Sequence, residues 1–331
     1  MKVLLVMAAA LLAVTQAGAA QSITKPGRTR TEGAPIVAIS VSGAPGITYA
    51  VADNHGNTDC AHVYFMQTGG RSQVWRYGTP TNEPCSEGTS TGDGISGVTM
   101  SAHRSLWIQY AGGNLRDWQL FTATPTKRTP KQLAFVEQDV DLPSPIVLGQ
   151  GSGYTVPYAV RNKVTDLDDN GSAAFKWTAP ATVQALAAGQ GPNGVAVAVL
   201  LDSGVLDLLS GAGKVIGSST YAPAAVTALF VAPAGVVIQK GSTVEIRKGS
   251  ATRTFALPSH AKMISYAEGR IYYSVANAIH ALGTTSRVDS VLVAPTKGKT
   301  TVAYFGDGAG FAWAAGNTLN WDCGGCVNYG R

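Results

Sequence analysis

Charge is scarce in this 331-residue chain: Lys, Arg, Asp and Glu together make up 14 %, against the ~25 % usual in soluble domains. Hydrophobic residues make up 45 %. That balance excludes a disordered chain, which needs low hydrophobicity and high charge. Helical periodicity is missing too. Beyond the N-terminal leader no dozen-residue stretch spaces its apolar residues by three and four, and the Ala-rich Thr182 to Ala188 is too short to decide. A helical bundle or coiled coil therefore does not fit. No later run reaches the ~20 apolar residues of a membrane span. The one Gly-x-Ser-x-Gly spacing, Gly88-Thr-Ser90-Thr-Gly92, falls in the polar loop Thr79 to Gly94 and not between an apolar strand and a helix, so no nucleophile stands out, and there is no second Cys-x-x-Cys for zinc. Nor is there a basic stripe with interleaved aromatics for nucleic acid. Glycine, by contrast, is abundant: 39 residues, where ~7 % is usual.

The N-terminus reads as an export leader. Lys2 supplies the positive start, Val3 to Val14 is almost wholly apolar, and Ala17-Gly-Ala-Ala20 offers small residues for cleavage before Gln21. Residues 1–20 are thus expected to be a signal peptide, with a secreted, periplasmic or extracellular product. No cysteine follows the cleavage point, so a bacterial lipid anchor is not expected. Four cysteines suit an oxidising compartment: Cys60, Cys85, Cys323 and Cys326. Three connectivities exist, of which the two local bridges, Cys60 with Cys85 and Cys323 with Cys326, are favoured. Closing the first loop would contribute roughly 3 kcal/mol in the chain-entropy model. The formal net charge is +5. Its mild clusters, Lys25–Arg30 and Lys127–Lys131, sit among Thr, Pro and Gly and read as solvated loops.

From Pro35 onward one pattern recurs. Short runs of Val, Ile, Ala, Leu or Tyr give way to Gly, Asn, Asp or Pro, and another run begins. These are strand and hairpin signals. Four strands with their turns fill about 40 residues. Candidate units start near Pro35, Gly94, Ser144, Thr182, Ala224, Ser259 and Lys299. The last unit is short by one strand, and residues 21–34 are either a flexible arm or the strand that closes the ring. The expectation is an all-β chain: a β-propeller of four-stranded blades over 35–331, with seven blades. One misplaced boundary would make it six or eight.

Three hairpins carry a resemblance. Val164-Thr-Asp-Leu-Asp-Asp-Asn-Gly-Ser-Ala-Ala-Phe-Lys-Trp177 has an apolar strand, a Leu-Asp step, a turn ending in Gly and a strand ending in Trp. Val205 to Ile216 follows it without the Trp, and Val63 to Trp75 follows the outline. These segments resemble the repeat hairpins of quinoprotein-like (pyrroloquinoline-quinone type) propellers, so the chain is similar to secreted bacterial propellers of that kind. The resemblance implies a propeller. It does not carry over the quinone site, because those enzymes place adjacent cysteines by the cofactor and this chain has no such pair. No Gly-His…Trp-Asp repeat of the WD type is present.

Few residues are arranged for chemistry. Asp166, Asp168 and Asn170, followed by Gly171, have the alternate-oxygen spacing of a Ca²⁺ loop. The acid that should complete it is absent, with Ala174 and Trp177 at the later positions, and an Asn-Gly hairpin turn explains the same residues. Asp53-Asn-His55 through Asp59-Cys60-Ala-His62 is the densest polar stretch and matches no zinc pattern. His103 and His260 are expected in or just before first strands, facing the channel, and His280 stands alone; each would need an acid beside it to act. The tryptophans Trp75, Trp107, Trp118, Trp177, Trp313 and Trp321 recur about once per unit. They suit either a sugar- or peptide-binding face or packing between blades, and packing is favoured. The expected function is therefore an exported, non-catalytic, monomeric scaffold without a cofactor (Ca²⁺ at Asp166–Asn170 aside) that binds a protein or glycan. The competing reading is a propeller enzyme, either a hydrolase or lyase on envelope polymers or a quinone-dependent oxidoreductase.

Overall fold

A computed structural model describes residues 28–42, 46–52, 62–67, 73–77, 94–112, 115–293, 300–304 and 310–323. Its strands form seven antiparallel sheets of four. The first strands of blades I to VII are Ile36–Ser42, Gly94–Met100, Ile146–Leu148, Val183–Gly191, Val226–Ala232, Lys262–Ala267 and Thr300–Tyr304. Each begins within three residues of the unit start read from the periodicity. Every first strand lies against the first strands of the blades before and after it, and blade VII returns to blade I. The all-β propeller is thus a closed ring with a seven-strand inner wall. The Ala-rich 182–188 stretch belongs to one of those strands, Val183–Gly191.

The ring closes through its N-terminal segment. Arg28–Thr31 adds antiparallel to Thr318–Cys323 as the outermost strand of blade VII, pairing Arg28 with Trp321 and Thr31 with Thr318. The chain then turns directly into blade I. Glu32 N–H donates to the Asn317 carbonyl (2.9 Å), Asn317 Nδ2 donates back to the Glu32 carbonyl (2.9 Å), and Ile36 N–H donates to the Gly316 carbonyl (2.9 Å). The Glu32 carboxylate accepts from Arg30 and from the hydroxyl of fully buried Tyr49 (2.7 Å) in blade I. A hydrogen bond from a buried donor to a charged acceptor is among the stronger ones, so this corner ties the two blades where the chain is otherwise unconnected.

Apolar burial decreases outward. Middle strands such as Gly194–Leu201 are almost wholly buried, while Val215–Thr220 at the edge of blade IV is almost wholly exposed. Six clusters fill the spaces between neighbouring sheets. All six tryptophans sit in those clusters or pack against them. Trp107, 1 % exposed, stacks between Tyr77 and Phe121. The tryptophan recurrence therefore reports packing between blades, because each sheet must cover both of its faces.

Near the axis, backbones approach too closely for large side chains. A Cβ at Gly189 in blade IV would stand 2.1 Å from the Val231 carbonyl oxygen of blade V. Gly189→Ala should therefore destabilise the chain by about 1–3 kcal/mol, read as a lower urea midpoint at unchanged m-value. Gly217→Ala, whose nearest heavy atom is 4.0 Å away, should leave the midpoint nearly unmoved.

Candidate functional site

Antiparallel order gives the ring two different ends. Turns joining first to second and third to fourth strands share one end, here the lower face. Turns joining second to third strands, and the links between blades, share the other, the upper face. The wall between them offers little chemistry. Its seven first strands contain no Asp, Glu, His, Arg or Cys, and Lys262 is their one charged residue.

The candidate histidines are not in that wall. His103 lies in the lower-face turn after Gly94–Met100, and His260 in the upper-face turn before Lys262–Ala267, with a left-handed φ of 62°. Both are exposed. The expectation that they face the channel is corrected: each sits in a turn that carries it out of the wall.

His103 does meet an acid. Its Nδ1 lies 3.4 Å from Asp169 Oδ2 in the blade III hairpin, and its backbone N–H donates to Asp169 Oδ1 (3.2 Å). Ser101 Oγ donates to the same Oδ1. Three residue types of a hydrolytic triad are present, but in the wrong order. The base should stand between nucleophile and acid; here the carboxylate is in the middle and Ser101 is fully buried. Arg104 completes the junction, donating from Nε to the Asp168 and Asp169 carbonyls (3.2 Å each) and from Nη1 to Thr122 Oγ1 (3.2 Å). This is a clamp between blades II and III. A second His–Asp pair lies in blade VI, where Asp289 Oδ2 accepts from the Tyr273 hydroxyl (2.7 Å) and lies 3.2 Å from His280 Nδ1.

The oxygens with calcium-like spacing are distributed along one hairpin. Asp168 opens it: Gly171 N–H donates to the Asp168 carbonyl (3.0 Å), and Ser172 N–H donates to Asp168 Oδ1 (2.8 Å). Gly171 takes a φ of 85°. The loop is the three-residue Asp169–Gly171, with one more residue than an Asn-Gly turn. Asn170 is exposed at the tip. Asp166 is fully buried in Lys163–Asp168, opposite Phe175, with no hydrogen bond to either oxygen. The hairpin of blade IV repeats this geometry. Ser210 takes the place of Asp168, Gly213 that of Gly171, and Leu208 that of Asp166, with the same register shift one residue later. Among the described residues no group of three or more His, Cys, Asp or Glu is placed to hold a metal. Cys60, Cys85 and Cys326, the stretch 53–61 and the leader lie outside the described residues, and of Cys323 only the backbone is described.

Two surface features escaped the sequence reading. One is a cleft of about 480 Å³ at the closing seam, lined by Arg28, Thr29, Arg30, Met66, Val74 and Trp321. The other is the outer half of blade II. Its two outer strands, Leu115–Ala123 and Lys131–Asp139, run nine residues each, while the outer strand of blade I, Gln73–Arg76, has four. Among the described residues blade II therefore extends beyond the outer strand of its neighbour. Alternation turns Phe135, Glu137 and Asp139 outward together, and Leu115 pairs with Asp139. Leu142 N–H donates to the Asp139 carbonyl (3.2 Å), so Leu142 stands beside them. Phe135 and Leu142 are each 54 % exposed and Leu115 53 %. The only sequence signal was the length of the two apolar runs.

No family model matches the chain, and no curated protein matches it. Solved structures do. It is similar to a chain of a mitotic checkpoint complex structure (TM-score 0.58, 13 % identity, 97 % of this chain and 98 % of that one). It is also similar to Sqt1 of Saccharomyces cerevisiae (0.50, 11 %, covering 91 % and 99 %). A third match is Raptor of Chaetomium thermophilum (0.56, 10 %), where 89 % of this chain corresponds to 29 % of that one. The first two are WD40-like propellers, and at such identities all three show the fold alone.

Burial pushes the Asp166 acid up to about 6. The charge of Asp168 acts in the same direction. A raised carboxyl pKa means the folded state holds its proton longer than the unfolded one. Stability is therefore lost as pH rises from about 4 through about 6, by roughly 2–3 kcal/mol. Asp166→Leu, which copies blade IV, should raise the thermal midpoint at pH 7 and flatten its fall between pH 4 and 6.

Proposed function

We propose that this protein is an exported, non-catalytic propeller that binds a protein partner on the overhanging outer half of blade II. The observation that carries this reading is an exposed face on which Leu115, Phe135 and Leu142 are interleaved with Glu137, Asp139 and Asp141. Apolar side chains interleaved with acids fit a partner surface that carries both apolar and basic side chains. The inner wall supports the non-catalytic part: with a single lysine and no acid or histidine, it offers no pair for proton transfer. Export rests on the leader sequence. The checkpoint structure is by its title a complex, so a propeller of this shape occurs within a protein assembly. The likeness to bacterial quinoprotein-like repeats is taken as one of hairpin geometry, which blades III and IV share residue for residue, with no cofactor implied.

Leu115→Ser, Phe135→Ser and Leu142→Ser together remove the large apolar side chains of this face, and exposed positions cost little stability. Crosslinking of the mature chain in envelope extract should give a discrete adduct that the triple variant loses while its thermal midpoint is kept. Absence of any adduct, or an adduct that survives the triple substitution, contradicts the proposal.

A further inference from the structure

The two ends of the ring differ in charge. On the lower face, exposed cations are spread over blades II, IV, V and VI: Lys127, Arg128, Lys214, Lys248, Arg253 and Arg287. The exposed acids among its described residues are Glu268 and Asp289, and Asp169 is occupied by Ser101 and His103. Among the described residues of the upper face, exposed Glu137, Asp139, Asp141 and Asp202 stand against Arg76, Arg161, Lys163, Lys176 and Lys262, a smaller excess. The cationic face also carries exposed apolar side chains: Tyr154 (74 %), Val288 (59 %), Ile216 (53 %) and Val215 (50 %).

The lower-face arginines are held in place. Arg253 donates to the Thr284 carbonyl of blade VI, and Arg287 Nη1 donates back to the Thr254 carbonyl of blade V (3.2 Å). The Arg253 and Arg287 guanidinium carbons lie 5.3 Å and 4.2 Å from the Phe255 ring centre. Arg128 lies 6.0 Å from the Trp75 ring. Some turns here are tight, such as Gly249-Ser250 and Asp169–Gly171, while the longer connection 124–130 carries Lys127 and Arg128.

We infer that the lower face docks on an anionic lipid surface. Three features select that occupant. The charges are dispersed around the ring and form no stripe, which suits a laterally uniform surface better than a single polyanionic chain. They are interspersed with apolar side chains that can enter the headgroup region, as in interfacial proteins. Among the described residues the opposite face has the smaller positive excess, so attachment favours one orientation and leaves the upper rim of blade II in solvent. Among the described residues no helix can span the bilayer, and attachment is at the surface.

The test is sedimentation of the mature chain with vesicles of phosphatidylcholine and phosphatidylglycerol, against phosphatidylcholine alone. Binding is expected to the mixed vesicles only, and to fall as salt is added. Reversing Lys127 and Lys248 to Glu should weaken it by about ten-fold or more, since each cation near such a surface carries about a five-fold effect. Tyr154→Ser should weaken it further. Lys163→Glu with Lys262→Glu on the upper face should not. Equal binding to neutral vesicles, full binding by the lower-face reversal, or binding to heparin with none to mixed vesicles would each overturn the inference. None of these outcomes bears on the blade II adduct.

Discussion

A four-stranded sheet with two apolar faces cannot stand alone in water, and the rest of this structure follows from that. Each blade covers one face of the next, so the requirement has no natural end until the last blade meets the first. The hydrophobic effect supplies the drive, but it is non-directional and does not say where the chain should stop. The stopping point is the corner at Arg30, Glu32, Tyr49 and Asn317, where Arg28–Thr31 completes blade VII and the next few residues enter blade I. Residues nearly 300 positions apart in sequence thereby share one sheet. The closure also leaves no inner sheet edge exposed to recruit another chain.

Convergence at the axis explains why chemistry is sparse there. Seven first strands meeting in a small circle bring backbones together, as Gly189 against the Val231 carbonyl shows, and Lys262 is their one charged residue. Toward the rim the blades separate and polar residues return. The distinctive side chains accordingly lie at the ends and edges of the ring: the Arg104 clamp, the overhang of blade II and the cations of the lower face. Asp166 is the exception, a carboxyl where the neighbouring blade has Leu208, and it is held at the cost of a raised pKa.

The architecture was legible because its determinants are local. A turn needs Gly171 or Gly213 at a positive φ, a strand needs alternating β-branched residues, and the spacing of such signals announces the blade. The candidate sites were less legible because they depend on which turn lies beside which. His103 and Asp169 are 66 residues apart and meet only through the packing of blades II and III. The D-x-D-x-N spacing at Asp166 to Asn170 reads as a ring of oxygens in one dimension. In three dimensions a register shift after Asp166 leaves its carboxyl buried, while Asp168 and Asn170 go to the turn. The difference in charge between faces was invisible for the same reason: consecutive turns alternate between ends, so its cations are scattered along the chain.

Ring closure is the claim on which the inner wall, the two faces and the overhang all depend. Native-state hydrogen exchange, resolved to single peptides, addresses it directly. If Arg28–Thr31 is the fourth strand of blade VII, its amides should be protected to a degree comparable with those of Thr318–Trp321 and should open together with them. Exchange of Arg28–Thr31 at the rate of a free arm, beside a protected Thr318–Trp321, would contradict the closed ring.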